Sequence, residues 1–591
     1  MAKKITYSEI DLKREGLVSR KIALIQVKSP DFNIGWEKRR VSYYNRENDL
    51  LGFLNGNFQM RRNIVEEQVE KINRLINFAI TGGAKILCFP NMVIPKEMDA
   101  IFKEKSIEED VILISGFEYI RDHDGNLNNI IRLYLPEYFP DLSLEELESK
   151  KNFVSKYDPE IKTGNRVNIY KNTGFGKFTI LNCFDYSNLS ILNEIAKRDV
   201  SIIFVTSYNP AFRLYHNYAM ADSHRNYSYV VIVNSGDFGG SGIYAPRRYE
   251  GKLRVNNLLQ GLRGKGEGII IQDIDVQDLK ASKKKTIHGW MNPPEIRPIK
   301  NEIDIVKINL KEDLKKDKII IKLVELRAPK AKDYQENNWR FKNDYREEII
   351  QEIKNIMKEL KDKEADFITF PEVSLPDGIE ELLCGFSKEK NVYIMGGFEY
   401  NDNTQNICKI FTPHTPDEND FSKYQDILYK SEKTGVHYYY YTKLFRSKYD
   451  HPSMKCGNKL LIFENSLFGH FAPIICFDYS HNSILEKIAN KIDLLFVVSY
   501  NPDVETYHNY GQADCHRLYC YIAQCNIPIF GGSAVYAPIW NIKKVRTNSI
   551  LGQFIGYSEK TRILTVEAEI KSLRGEAKSQ NIKFFSPPAG Y

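Results

Sequence analysis

Residues 180–187 read ILNCFDYS, and residues 473–480 read PIICFDYS. Working outward from this pair, the chain keeps repeating itself. SYNP occurs at Ser207–Pro210 and again at Ser499–Pro502. YHNYAMADSHRNYSY from Tyr215 is matched by YHNYGQADCHRLYCY from Tyr507, and GGSGIYAP from Gly239 by GGSAVYAP from Gly531. Upstream, AKILCFPNMVIP from Ala84 pairs with ADFITFPEVSLP from Ala365, and KNFVSKYD from Lys151 with KLFRSKYD from Lys443. The offset stays between 281 and 293 residues throughout. Solenoid repeats have periods of about 20–50 residues, so this spacing means two domains of one fold, the product of a duplication.

Each half opens on an apolar, β-rich run, IALIQV from Ile22 and IIIKLV from Ile319. Each closes on another, GIIIQDIDV from Gly268 and RILTVEAEI from Arg562. The Lys- and Pro-rich stretch between them, with Pro293-Pro294, reads as a linker. The expected division is therefore 1–279, a charged linker 280–317, and 318–591. Within the halves, strands alternate with helices. Val65, Val69, Ile72, Ile76 and Ala79 share one helical face. So do Ile349, Ile350, Ile353, Ile356, Met357 and Leu360. The short unbroken runs FITF, VYIM, APII and LLFVV suit strands buried on both faces. The expectation is a layered α/β architecture.

Composition bounds the function. The chain has 591 residues, 42% hydrophobic and 27% charged, which excludes wholesale disorder. A net charge of +6 over that length points to no nucleic-acid partner. No apolar stretch approaches a membrane span, and MAKKITYSEIDLKREG lacks the apolar core of a secretory signal. Nine scattered cysteines without close CxxC pairs fit free thiols in a reducing compartment, so a cytoplasmic location is expected.

Three residues of the second half sit where chemistry gathers in α/β folds, at strand ends. Glu372 follows a buried strand in FITFPE, Cys476 ends another in PIICFD, and Lys443 lies between them in YYYYTKLF. Taken singly, each has a bland reading: a core thiol, a capping carboxylate, a snorkelling amine. Their order and spacing, 71 residues from Glu372 to Lys443 and 33 more to Cys476, carry a more specific one. Together with SYNP, the helix bearing Arg517 and GGSAVYAP, the pattern resembles the nitrilase, or carbon–nitrogen hydrolase, superfamily. The resemblance runs through nearly all of both halves.

The resemblance implies two tandem four-layer α-β-β-α sandwiches, packed as an intramolecular αββα-αββα pseudo-dimer. It also implies a catalytic triad of Glu372 as base, Lys443 as charge stabiliser and Cys476 as nucleophile. The backbone N–H of Phe477 would assist. Many members place a second glutamate shortly after the lysine; this chain has Asp450 there, a shorter carboxylate in a supporting role. In the first half Lys151 and Cys183 occupy the matching places, but Asn91 replaces the glutamate. An amide is no base at neutral pH, so this half is expected to be catalytically dead.

The activity implied is cysteine-dependent hydrolysis of a non-peptide carbon–nitrogen bond through a thioester, on an amide more than a nitrile, or acyl transfer from that thioester to an amine. The partner implied is a small-molecule amide or nitrile, without cofactor or metal, and with homo-oligomerisation through nitrilase-type interfaces. His508, Asp514, His516 and Arg517 have counterparts in His216, Asp222, His224 and Arg225, so they read as structural and not as metal ligands. The competing reading is a paired pseudoenzyme that senses a ligand or supports assembly, within a bacterial defence system. The inserts Pro136–Lys150 and Pro413–Val436 are expected to roof the two sites.

Overall fold

The computed structural model describes residues 3–14, 20–28, 62–136, 142–155, 158, 160–246, 248–250, 253–255, 258–283, 302–312, 316–327, 329–335, 339–540, 549–576 and 583–590. The chain divides into two compact units, Met1–Ile296 with Pro588–Gly590, and Arg297–Pro587.

The first unit holds two sheets. One orders its strands as Thr6–Arg14, Arg166–Thr173, Phe178–Asn182, Ile202–Ser207, Tyr229–Asn234, Ser241–Tyr244 and Leu258–Leu262. The other runs Gly268–Ile274, Arg20–Gln26, Ile86–Cys88, Ile112–Gly116, Ile130–Tyr134 and Glu148–Lys150. Alternation along the strands divides their side chains between two cores. Ile22, Leu24, Ile86, Cys88, Ile112 and Ile114 meet Phe178, Ile180, Phe204 and Val231 of the facing sheet. Ala23, Ile25, Leu87 and Leu113 point the other way, onto Ile72, Ile76 and Ala79 of helix Arg62–Thr81 and onto Met98 and Phe102 of helix Met98–Glu108. Helices Leu189–Lys197 and Phe212–Asp222 form the opposite outer layer, the latter against strand Tyr229–Asn234. The unit is an α-β-β-α sandwich.

The second unit repeats the plan. One sheet runs Asp304–Asn309, Lys459–Ser466, Gly469–Ile475, Leu494–Val498, Tyr521–Cys525, Ala534–Tyr536 and Ile550–Gln553. The other runs Leu428–Lys430, His437–Thr442, Ile407–Phe411, Tyr393–Gly397, Phe367–Thr369, Lys318–Glu325 and Arg562–Glu569. Aromatic rings lock the two together: Phe367 lies 5.3 Å from Phe471 and 4.8 Å from Phe496. Ile349, Ile353, Ile356, Met357 and Leu360 on helix Asn343–Leu360 are buried as the spacing predicts. Each such burial is worth about 1.5–3 kcal/mol, which outweighs the tenths of a kcal/mol that isoleucine costs a helix. Helix Val504–Arg517 covers the other side.

Three expectations need correction. The stretch 280–317 is not linker throughout. Helix Val276–Lys283 runs into it, the units divide between Ile296 and Arg297, and Asp304–Asn309 is a sheet strand, paired in parallel with Lys459–Glu464. The residues around Pro293-Pro294 lie outside the described residues. Second, the edge strands Thr6–Arg14 and Asp304–Asn309 escape the apolar-run criterion, because an edge strand buries few side chains, here Ile10 and Leu12 in the first and Ile308 in the second. Third, the 413–436 insert does not roof the second site. Its strand Leu428–Lys430 extends the sheet edge, Tyr424 donates to Lys307 O (2.9 Å) and Asp417 pairs with Lys311 (2.8 Å). That is the end of the sheet where Gly469 begins the strand leading to Cys476, not the end where Cys476 sits. In the first insert, residues 137–141 lie outside the described residues; the rest includes helix Leu144–Leu147 and edge strand Glu148–Lys150.

Candidate active site

Three strand ends of the second unit converge. Phe367–Thr369 delivers Glu372, His437–Thr442 delivers Lys443, and Gly469–Ile475 delivers Cys476. The Glu372 N–H donates across to Ser499 O (3.4 Å), beyond the end of strand Leu494–Val498 in the facing sheet. The carboxylate therefore stands between the two sheets. Its backbone is pressed against Gly397, where a Cβ would lie 2.5 Å from Glu372 Cα. Only glycine fits at that position.

All the groups are buried: Glu372 is 3% exposed, Lys443 1% and Cys476 8%. Lys443 Nζ donates to Glu372 Oε1 (2.8 Å) and to both Asp450 oxygens (2.9 and 2.8 Å). Burial alone would lower the lysine pKa. Asp450 and Glu372 override it and hold the ammonium well above its usual range. Asp450, whose burial would raise its pKa, is held below the usual carboxylate range by Lys443 and by the Ser447 N–H (2.7 Å). The shorter carboxylate thus reaches the lysine directly. Tyr400 OH also donates to Asp450 (2.8 Å).

The Cys476 backbone has φ 41°, a left-handed turn that presses the thiol out of the strand line at a cost of about 1–2 kcal/mol. A single 3-10 turn, Cys476–Ser480, follows. Burial first, then the facing Glu372 carboxylate, pushes the thiol well above its usual range; Lys443 and the Tyr500 N–H oppose them. Tyr507 OH lies 3.8 Å from Sγ. Burial and the nearby Glu372 charge both favour the thiol over the thiolate, so reaction at this sulfur requires a base to take its proton.

Two residues of the site, Asn406 and Asp478, are not among the sequence candidates. Asn406 Nδ2 donates to Glu372 Oε1 (2.8 Å) and Asp450 Oδ1 (3.2 Å), while its backbone carbonyl accepts from the Lys443 N–H (2.9 Å). Asp478, two residues past the cysteine, accepts from the N–H groups of Leu444 (3.1 Å) and Phe445 (2.9 Å) and from Tyr441 OH (2.7 Å). It ties the cysteine turn to the lysine strand. Burial pushes its carboxyl up to about 7 against the pull of Lys443 and these donors. Both residues have matches in the first half, Asn129 and Asp185, and that recurrence is the signal that points to them. Tyr500 contributes its backbone N–H, which donates to Glu372 Oε2 (2.9 Å); a backbone group leaves no mark on residue identity. Phe477 directly follows Cys476, its ring edge-on to His481 at 5.2 Å.

The cover over Glu372 and Asp450 is formed by residues 329–335 and 339–341, not by the insert. Trp339 packs on Tyr400 (5.5 Å) and His451 (5.8 Å), and Tyr500 OH donates to Pro329 O (3.4 Å). The solved structures to which this chain is similar include nitrilase-superfamily proteins. Saccharomyces cerevisiae Nit3, a member of branch 10 of that superfamily, is 15% identical, with 46% of this chain and 98% of its own covered and a TM-score of 0.32. An amidase from Nesterenkonia sp. is 12% identical, covering 44% of this chain and 94% of its own, with a TM-score of 0.31. A glutamine-dependent NAD+ synthetase from Acinetobacter baumannii is 15% identical at a TM-score of 0.30; the match covers 44% of this chain and 47% of that one, about half its length. No protein-family model matches the chain, and no curated protein matches it.

The corresponding place in the first unit keeps the lysine, its aspartate partner and the cysteine, and has an asparagine in place of Glu372. Lys151 Nζ pairs with Asp158 (2.6 Å), Cys183 has φ 41°, and Tyr215 OH lies 3.9 Å from its sulfur. Asn91, however, does not turn to the lysine. It donates to Asn129 Oδ1 (2.9 Å) and Asn182 Oδ1 (3.0 Å), and Asn182 donates back to Asn129 (2.9 Å). Three amides close on one another, so Cys183 has no carboxylate at the position of Glu372.

His508 and His516 point elsewhere, to Tyr536 OH (3.0 Å) and Ser586 O (2.9 Å). Among the described residues no group of three or more His, Cys, Asp or Glu is placed to hold a metal ion. Among the same residues no helix is long and apolar enough to cross a membrane.

Proposed function

We propose that the second unit is a thiol hydrolase of a non-peptide carbon–nitrogen bond, an amide in preference to a nitrile, and that the first unit is catalytically silent. One observation carries the reading. A buried carboxylate faces a buried thiol and is itself held by a lysine and a backbone N–H (2.8 and 2.9 Å).

Glu372 takes the Cys476 proton as the sulfur attacks the amide carbon. The C–S bond forms and the carbonyl π pair moves to oxygen. Lys443 and the N–H of Phe477 stabilise that oxygen; one such donor is worth about 3–4 kcal/mol. The proton on Glu372 then passes to nitrogen, the C–N bond breaks, and the amine leaves an acyl thioester. Glu372 next deprotonates water, which attacks the thioester, and Cys476 leaves with the returned proton. Asp450 and Asn406 keep Lys443 and Glu372 in register through both halves of the cycle.

The test is the alkylation rate of each cysteine near pH 7, read by peptide mass spectrometry, with ammonia release from a panel of primary amides. Glu372→Gln is expected to slow Cys476 alkylation and to lower ammonia release by about 10²–10⁴-fold, the usual worth of a general base. Alkylation of Cys476 that is as slow as that of Cys183, and indifferent to Glu372→Gln, overturns the reading.

A further inference from the structure

The loops beside Tyr500 differ between the units in one chemical respect. In the second unit, residues 527–531 pack on residues 554–558. Ser558 N–H donates to Pro528 O (2.7 Å), and a Cβ on Gly531 would lie 2.1 Å from Gly556 O. The first unit has the same pair of turns. Gly266 N–H donates to Gly236 O (2.8 Å), and a Cβ on Gly239 would lie 2.3 Å from Gly264 O. These contacts fix the correspondence: Ile529 with Asp237, Ile555 with Arg263, and Tyr557 with Lys265. The inner aromatic pair is common to both, Tyr500–Phe530 at 5.9 Å and Tyr208–Phe238 at 4.9 Å. The outer residues are not. The unit with the carboxylate exposes Ile529 (47%), Ile555 (83%) and Tyr557 (78%); the unit without it carries three charges there.

Large exposed apolar side chains grouped together mark a binding surface. This group connects to the site. Glu372 is held by the Tyr500 N–H (2.9 Å), the Tyr500 ring meets Phe530, and Phe530 is flanked by Ile529. Arg562 adds no unpaired charge to the turn. It pairs with Glu325, stacks on Phe554 (4.4 Å) and donates to Gly556 O (3.1 Å). We infer that the substrate is an amide bearing a bulky apolar substituent, which lies along Tyr500 and Phe530 onto the platform of Ile529, Ile555 and Tyr557. This rests on the hydrolase reading above, and it names the substrate class for that site.

Two probes with one warhead separate the two claims: iodoacetamide, and N-benzyl iodoacetamide. Their rates are compared at Cys476 and, in the same chain, at the exposed Cys456, which serves as the internal reference. The preference of Cys476 for the benzyl reagent, relative to that of Cys456, is expected to be about tenfold, the low end of what apolar contacts confer. The triple variant Ile529→Asp, Ile555→Arg, Tyr557→Lys installs the first unit's residues at exposed positions. It is expected to bring that ratio to about one. A ratio near one in the unsubstituted protein, with Cys476 still fast and Glu372-dependent, overturns the apolar substrate and leaves the hydrolase standing. So does a tenfold ratio that survives the triple variant. An oligomer in the unsubstituted protein that the triple variant dissociates, with the ratio unmoved, assigns the patch to a second copy and overturns the inference. Cys476 no faster than Cys183 towards either reagent overturns both claims.

Discussion

The two lysine-centred sites share a core set of hydrogen bonds and part at two positions. Lys151–Asp158 and Lys443–Asp450 are equivalent ion pairs (2.6 and 2.8 Å). Ser155 and Ser447 donate their N–H groups to those aspartates, each at 2.7 Å, and Tyr119 and Tyr400 donate their hydroxyls (3.0 and 2.8 Å). Both cysteines have the same φ of 41°, and Asp185 and Asp478 bind the same two backbone N–H groups after the lysine. A frame retained where the glutamate is absent must serve the fold. Leaving a buried lysine unpaired would cost about 3–5 kcal/mol whether or not the site reacts. What separates the sites is Asn91 in place of Glu372 and Asn182 in place of Ile475, which together turn an ion cluster into a closed ring of amides.

The comparison breaks most visibly at sulfur. Cys476→Ala is expected to abolish ammonia release, by about 10⁴-fold or more as for other removed nucleophiles, while Cys183→Ala leaves it unchanged; steady-state rates of the two purified variants decide. A smaller effect is expected in the other direction. Asn91→Glu with Asn182→Ile rebuilds the second unit's arrangement around Lys151 and should raise Cys183 alkylation near pH 7 about tenfold, within the reach of a partly positioned base. Asn91→Glu alone should give less, because Asn182 still lies within hydrogen-bonding distance of that position. Equal rates for the single and double variants would show that the amide ring does not hold the site shut.

The smallest effect concerns Asp478 and pH. Burial raises its folded-state carboxyl to about 7, and that of Asp185 to about 6. Both lie above the unfolded value of about 4. The folded chain therefore binds more protons between those limits, and the contribution of each carboxyl to stability is full below pH 4 and declines as pH rises to its folded value. Asp478→Asn cannot ionise and should flatten the decline between pH 4 and 7. Asp185→Asn should flatten a narrower window ending near pH 6. Denaturant titrations across that range, followed by tryptophan fluorescence, measure both.

Much of this site is legible in the chain because the chain carries its own control. FPE against FPN, with a lysine and a cysteine constant further along each half, isolates the lost carboxylate without any other protein. Side chains recurring at matched positions, such as Asn406 with Asn129 and Asp478 with Asp185, were equally visible, but recurrence alone does not separate a support from a core residue. Asp450 illustrates the limit. From sequence it is a shorter carboxylate before a proline, whereas in the folded unit both its oxygens accept from Lys443 (2.9 and 2.8 Å).

By itself the sequence determined the duplication and the layered α/β class, and it singled out Glu372, Lys443, Cys476 and Asn91 as candidates, because repeats and buried strands are properties of residue order and hydrophobicity. Only the tertiary structure decided what surrounds them. The Tyr500 N–H on Glu372 is a backbone group, the amide ring of Asn91, Asn129 and Asn182 joins three separate segments, and the cover by residues 329–335 and 339–341 replaces an insert that serves the sheet edge instead. Each is a meeting of segments distant along the chain, and hydrogen-bond directions between them exist only once the two sheets have packed.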